Sequence, residues 1–120
     1  MLEKKNLILT ADKIKDDIKH YQNESFLGDI LNFIIAAKKE KSTKEEQLQR
    51  FFSYLQKCYE KPAILGGGKN KKDSFKRFVS DYLGLKKENG MLFLLKEPFK
   101  DWEIDQFFYV FAWLRRITKV

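Results

Sequence analysis

Apolar residues recur at helical spacing along most of the chain. Ala11, Ile14, Ile18 and Tyr21 fall on one helical face, while Lys13, Asp16, Asp17 and His20 fall on the other. Thr10 stands where an N-cap belongs, so residues 1–9 read as a lead-in. Within it, Leu7-Ile8-Leu9 could add an extended segment to the core edge. The polar step Asn23 to Ser25 breaks the pattern, and Ser25 can cap a second helix. That helix is apolar nearly all round, from Phe26 and Leu27 through Ile30, Leu31 and Ile34 to Ala37. A helix of that kind belongs inside a fold. Lys38, Lys39 and Lys41 close it on the favourable side of the helix dipole.

Thr43 and Glu46 have the spacing of a capping box, which satisfies orphan amides at a helix start. The helix that follows carries the cleanest stripe in the chain: Leu48, Phe51, Phe52, Leu55, Cys58 and Tyr59. Lys61-Pro62 stops it. Residues 61–73 then read as a basic, glycine-rich loop. Asp73 or Ser74 starts a fourth helix with Phe75, Phe78, Val79 and Tyr82 inward, and Gly84 is a natural C-cap. Residues 85–97 admit two readings. Asn89-Gly90 between apolar runs is a hairpin signal. Leu85, Met91, Leu92 and Leu95 could instead line a short helix. The helix is preferred, because its neighbours are helical and an isolated hairpin is marginal.

The chain ends on Asp101 to Val120, with acids first, an apolar run from Phe107 to Leu114, and Arg115, Arg116 and Lys119 last. This order complements a helix dipole, and Asp101 suits the N-cap. The apolar run leaves no fully polar face, so the helix should sit between neighbours as a central post. It is far short of the ~20 apolar residues of a membrane span. The expected fold is all-α: a compact five- to six-helix bundle, one domain over residues 1–120, with a buried C-terminal helix.

Composition sharpens this picture in two places. Eleven phenylalanines point to a core built of rings. Net charge is +7 and unevenly spread: residues 1–60 carry 11 basic and 10 acidic residues, residues 61–120 carry 13 and 7. A charge of +6 in one half suggests a basic surface facing nucleic acid, an anionic membrane face or an acidic protein. A lysine-rich solvated surface is the plainer alternative. The lone Cys58 excludes an internal disulfide and suits a reducing cytoplasm, and no signal peptide is visible.

Candidate chemistry centres on Gly66-Gly67-Gly68-Lys69-Asn70-Lys71-Lys72, followed by Lys76 and Arg77. Glycines let main-chain amides turn toward an anion, and the cations oppose the dipole of the helix they open unless a phosphate sits there. A nucleotide P-loop does not fit: Ala63 and Asn70 occupy the positions of its first glycine and its hydroxyl residue. Arg115-Arg116 after Trp113 could likewise clamp phosphates or carboxylates. Metal and catalytic chemistry has little support. His20 is the only histidine, and Cys58 falls on an apolar stripe. The carboxylate pairs Asp12/Asp16 and Asp101/Asp105 lie in first turns, where dipole compensation accounts for them. No enzyme activity and no cofactor are expected.

Two segments carry a family resemblance. Leu27-Gly28-Asp29-Ile30-Leu31-Asn32-Phe33-Ile34 resembles the second-helix signature of the small helical subunit of type III CRISPR effector complexes, the Cmr-type small subunit. Phe111-Ala112-Trp113-Leu114-Arg115-Arg116-Ile117 resembles that family's closing helix. The Csm-type small subunit is the related alternative. The resemblance implies a noncatalytic subunit in antiviral defence. Such subunits stack along a ribonucleoprotein, touch the guide–target RNA backbone and contact larger subunits; self-association stays open. It carries a phosphate-contacting role only to Arg115 and Arg116. Lys69, Lys71, Lys72, Lys76 and Arg77 enter from charge alone. The rival reading is a helical protein-interaction module, such as an adaptor, a phage-encoded inhibitor or a toxin–antitoxin partner, that meets an acidic protein surface. A DNA-binding domain is weaker, since no short helix–turn–helix exposes a polar recognition face.

Overall fold

Two helices lie antiparallel along each other and carry the rest of the chain. A computed structural model describes residues 4–19, 21, 24–88, 92–97 and 99–118. The elements run α1 (Lys4–Asp17), α2 (Phe26–Glu40), α3 (Lys44–Glu60), α4 (Lys69–Arg77), β1 (Lys86–Glu88), β2 (Leu92–Leu94) and α5 (Ile104–Thr118). A 3-10 turn at Pro62–Leu65, a π-helical turn at Phe78–Leu83 and a 3-10 turn at Phe99–Asp101 join them. The fold is all-α, with one small hairpin as an appendage.

The antiparallel pair is α2 with α5. At one end Asp105 receives Lys38 Nζ at 2.8 Å and Lys44 Nζ at 2.9 Å. At the other end the Arg115 guanidinium lies over Gly28, 3.1 Å from where a Cβ would stand. Hydrogen bonds from Lys38 and Lys44 hold the Asp105 carboxyl below the usual aspartate range. Phe107, Val110, Phe111 and Leu114 of α5 are fully buried, with α1, α2 and α3 all packed against the helix. The C-terminal helix is the central post its sequence suggests. Ring contacts run through the core: Phe26 lies 5.2 Å from Phe78, Phe78 stacks on Tyr82 at 5.2 Å, and Phe107 lies 5.4 Å from Phe51. The Tyr82 hydroxyl donates to Asp17 at the end of α1. Burial, then that bond, pushes its phenol well above the ordinary tyrosine range.

The capping box of α3 is formed. Thr43 Oγ1 accepts the Glu46 N–H at 3.2 Å and donates to its carboxylate at 2.8 Å. Gly84 closes the π-helical turn with φ of 66°, a left-handed conformation that suits glycine. Ser25 occupies the N-cap of α2 without a side-chain capping bond.

Four boundaries differ from the sequence expectation. The expected lead-in over residues 1–9 is helical from Lys4 on, where α1 begins, and its first three residues lie outside the described residues. Leu7 lies one helical turn before Ala11, so the Ala11-Ile14-Ile18 stripe reaches further back than Thr10, whose Oγ1 instead donates to the Asn6 carbonyl. The basic loop 61–73 is shorter than expected. Gly68 is the N-cap of α4, which begins at Lys69 rather than at Asp73 or Ser74. Asp101 does not cap the last helix; it lies in the 3-10 turn before it. The Glu103 N–H donates to Gln106 Oε1 at 2.7 Å, half of a capping box at the true start.

The fourth correction is the segment 85–97, which is a hairpin and not a helix. Lys86 pairs with Leu94, Lys87 with Phe93 and Glu88 with Leu92. The Asn89-Gly90 step, Met91, Pro98 and His20 lie outside the described residues. The hairpin is not isolated. Gln49 of α3 acts as a third strand: its Nε2 donates to the Phe93 carbonyl at 3.2 Å and its Oε1 accepts the Phe93 N–H at 3.0 Å. Lys96 pins the far end, with its Nζ donating to the Asp81 carbonyl.

Replacing Gln49 with Ala strands both polar groups of Phe93. It should lower unfolding free energy by about 1–3 kcal/mol in urea titration, with faster amide exchange in the hairpin than in α5. Cys58 is buried, and desolvation raises its thiol pKa. Its thiol should resist Ellman's reagent near neutral pH until the chain is unfolded.

Candidate nucleic-acid interface

The seven cations singled out from the sequence come from two helices. Gly66 and Gly67 have φ of 71° and 75°, so the chain leaves the Pro62–Leu65 turn through left-handed positions before α4 begins. Lys69, Lys71 and Lys72 are therefore in the opening turn of α4, which contains no acid. Cations there oppose the helix dipole by a few tenths to about 1 kcal/mol each. Lys76 and Arg77 lie in its last turn, not in its first as expected.

One of the three opening lysines is compensated from outside. Lys71 Nζ stands 2.8 Å from Asp29 Oδ2 of α2, an ionic contact whose angles fall short of a hydrogen bond. It also donates to the Leu65 carbonyl at 3.4 Å. With a side chain only 15% exposed, Lys71 is a tether between α4 and α2. Lys69 is exposed and Lys72 half-buried, and neither joins an ion pair among the described residues.

Three of the remaining four cations lie over rings. Arg77 Cζ is 4.7 Å from the centroid of Tyr21, Lys76 Nζ is 5.3 Å from that of Tyr59, and Arg116 Cζ is 5.9 Å from that of Trp113. An aromatic face attracts a cation without consuming its hydrogen-bond donors, so the charge remains usable by an anion. Burial pushes the Tyr21 phenol up, and Arg77 draws it partly back.

Three of the seven lie near the start of α2. Lys71 sits on Asp29, Arg115 on Gly28, and Arg77 on Tyr21, whose ring is 6.3 Å from Phe26. All three are thus gathered around the start of α2, with Lys69 and Lys72 beside Lys71 on α4. Lys76 turns away, toward the end of α3. Arg116 points along its own helix to Trp113, on a different face from Arg115. Asp29 is an acid within the group, and Asp81 acts electrostatically on Tyr21.

Sequence reasoning did not assign a role to Tyr21, Tyr59 or Asp29 in this arrangement. It also did not see why Gly28 is glycine. The available signal was glycine inside an apolar helix, which costs about 1 kcal/mol against alanine and so points to a close approach. Among the described residues no group of three or more His, Cys, Asp or Glu could hold a metal ion, and no helix is long and apolar enough to cross a membrane. Comparison with protein-family models, with curated proteins and with solved structures finds no match.

The seat of Arg115 can be tested without a ligand. In Gly28→Ala the new methyl meets only the far end of a flexible side chain. The helix gains up to about 1 kcal/mol in propensity. Thermal unfolding should show a midpoint no lower than that of the parent, while the Arg115 Nε–H resonance moves.

Proposed function

We propose that this chain is a noncatalytic subunit that grips the RNA backbone within a ribonucleoprotein, of the kind found in type III CRISPR interference complexes. The observation that carries the reading is the gathering of Arg77, Arg115 and Lys71 around the start of α2, with Lys69 and Lys72 alongside. It lies in the half of the chain that holds +6 of the charge. Phosphates attract such groups without regard to base identity, so contact would be independent of sequence. The two segments that carry the resemblance lie against each other where Arg115 covers Gly28. Guide–target RNA and neighbouring subunits are the proposed partners, in the cytoplasm. Arg115 and Arg77 are the proposed principal contacts, with Arg116, Lys69 and Lys72 at the margin. Lys71 contributes charge and holds α4 in place.

Titration of a labelled single-stranded RNA at several salt concentrations tests this. The logarithm of affinity should fall linearly with the logarithm of salt, by about 0.7 for each phosphate neutralised. Arg77→Ala and Arg115→Ala should each weaken binding for all sequences alike and flatten the slope by about 0.7. Affinity that ignores salt, or variants that bind as the parent does, would refute the reading. Capture of an acidic protein in place of RNA would support the interaction-module alternative.

A further inference from the structure

The hairpin is bonded to the first half of α3, at Gln49. Gln49, Ser53, Gln56 and Glu60 share one face of that helix, spaced by four, three and four residues. Gln49 is occupied by β2, and Lys96 ties the other side of the hairpin to the π-helical turn. Between these two attachments a groove of about 610 Å³ opens along Ser53, Gln56 and Glu60. Its volume lies in the range of small-molecule sites, roughly 300–1,000 Å³.

The walls combine three kinds of group. Tyr59 and Phe93 provide aromatic surface, continued by Val79 and Leu85. Ser53, Ser80, Gln56 and Glu60 provide hydrogen-bonding edges. Gln56 Nε2 donates to Glu60 Oε1 at 2.9 Å, an arrangement that orients both side chains while one N–H and one carboxylate oxygen are left over. Lys57 and Lys86 line the groove, and Lys76 stands over Tyr59. None of these three ammonium groups joins an ion pair among the described residues.

We propose that this groove binds one nucleotide, its base against the Tyr59–Phe93 wall and its phosphate among Lys57, Lys76 and Lys86. Flat aromatic surface suits a base, the amide and carboxylate suit its polar edge, and three cations against one acid suit the phosphate. This gives Lys76 a role on the side of α4 to which it is turned, away from the cations around α2. The occupant is an unpaired nucleotide of the strand held by those cations, and in that respect the inference rests on the function proposed above. A free mononucleotide offers the same chemistry.

The test uses the full chain, a labelled twelve-residue oligouridylate, an abasic strand of equal length, and uridine monophosphate. The oligouridylate should bind at least about fivefold tighter than the abasic strand. Lys57→Glu with Lys86→Glu, both exposed positions, should erase that preference and leave the thermal midpoint unchanged. Equal affinity for the two strands, with the salt slope intact, overturns the groove while the backbone reading stands. If neither strand binds, the backbone reading falls and the mononucleotide decides. Amide shifts at Ser53, Ser80 and Phe93 on its addition support the groove, and their absence overturns it. Mononucleotide binding as tight as the strand identifies a free nucleotide as the occupant; binding at least tenfold weaker identifies a strand nucleotide.

Discussion

The antiparallel contact between α2 and α5 sets where everything else can go. Its two ends are held differently. Asp105 sits between Lys38 and Lys44 at one, and a guanidinium lies on bare backbone at the other. Ion pairs on a half-exposed surface add little stability by themselves. Their value here is in register, because a slip of either helix by one turn would separate Asp105 from both lysines. Such a slip would also carry Arg115 off the only glycine in α2. With the register set, Phe111 meets Phe78 and Phe107 meets Phe51, so α3 and the π-helical turn pack on faces already aligned.

That arrangement explains why cations from distant parts of the chain lie around the start of α2. Arg115 is brought to the start of α2 because α5 runs back along it. Lys71 is brought there by Asp29, and Arg77 follows further along the same helix, over Tyr21. Charge alone would disperse these groups. What holds them is an acid, a missing side chain and a ring, one device for each cation. The ring is the device that holds its cation without consuming a hydrogen-bond donor.

Much of this was legible from periodicity, and the misses share a cause. The stripe Phe51, Phe52, Leu55 and Cys58 is buried as its spacing implies, and the Thr43–Glu46 cap forms as written. Helix starts were harder to read. Thr10 and Asp73 look like caps, yet each lies inside a helix, because the apolar stripe of α1 extends back to Leu7 and Gly68 already serves as cap for α4. The hairpin is not legible locally because much of its support comes from elsewhere: the Gln49 amide, 44 residues from Phe93, and the bond from Lys96 to the Asp81 carbonyl. The direction each lysine faces was not readable at all. Lys76 and Arg77 are adjacent in sequence and diverge to Tyr59 and Tyr21, an outcome decided by how α4 is rotated and not by its composition.

The π-helical turn at Phe78–Leu83 bears on how the chain tolerates changes in length. Bonds that skip five residues hold one residue more per turn than those of an α-helix spanning the same distance. Phe75 upstream and Gly84 downstream are both fixed, the one in the core and the other by its left-handed backbone and by Lys96 lying against it. The wide turn takes up the surplus between them. Loss of one residue there would tighten the coil and leave both anchors in place, whereas loss of one residue from α2 would rotate every apolar position past it. Indels among related chains should therefore collect at this coil and be excluded from the long helices.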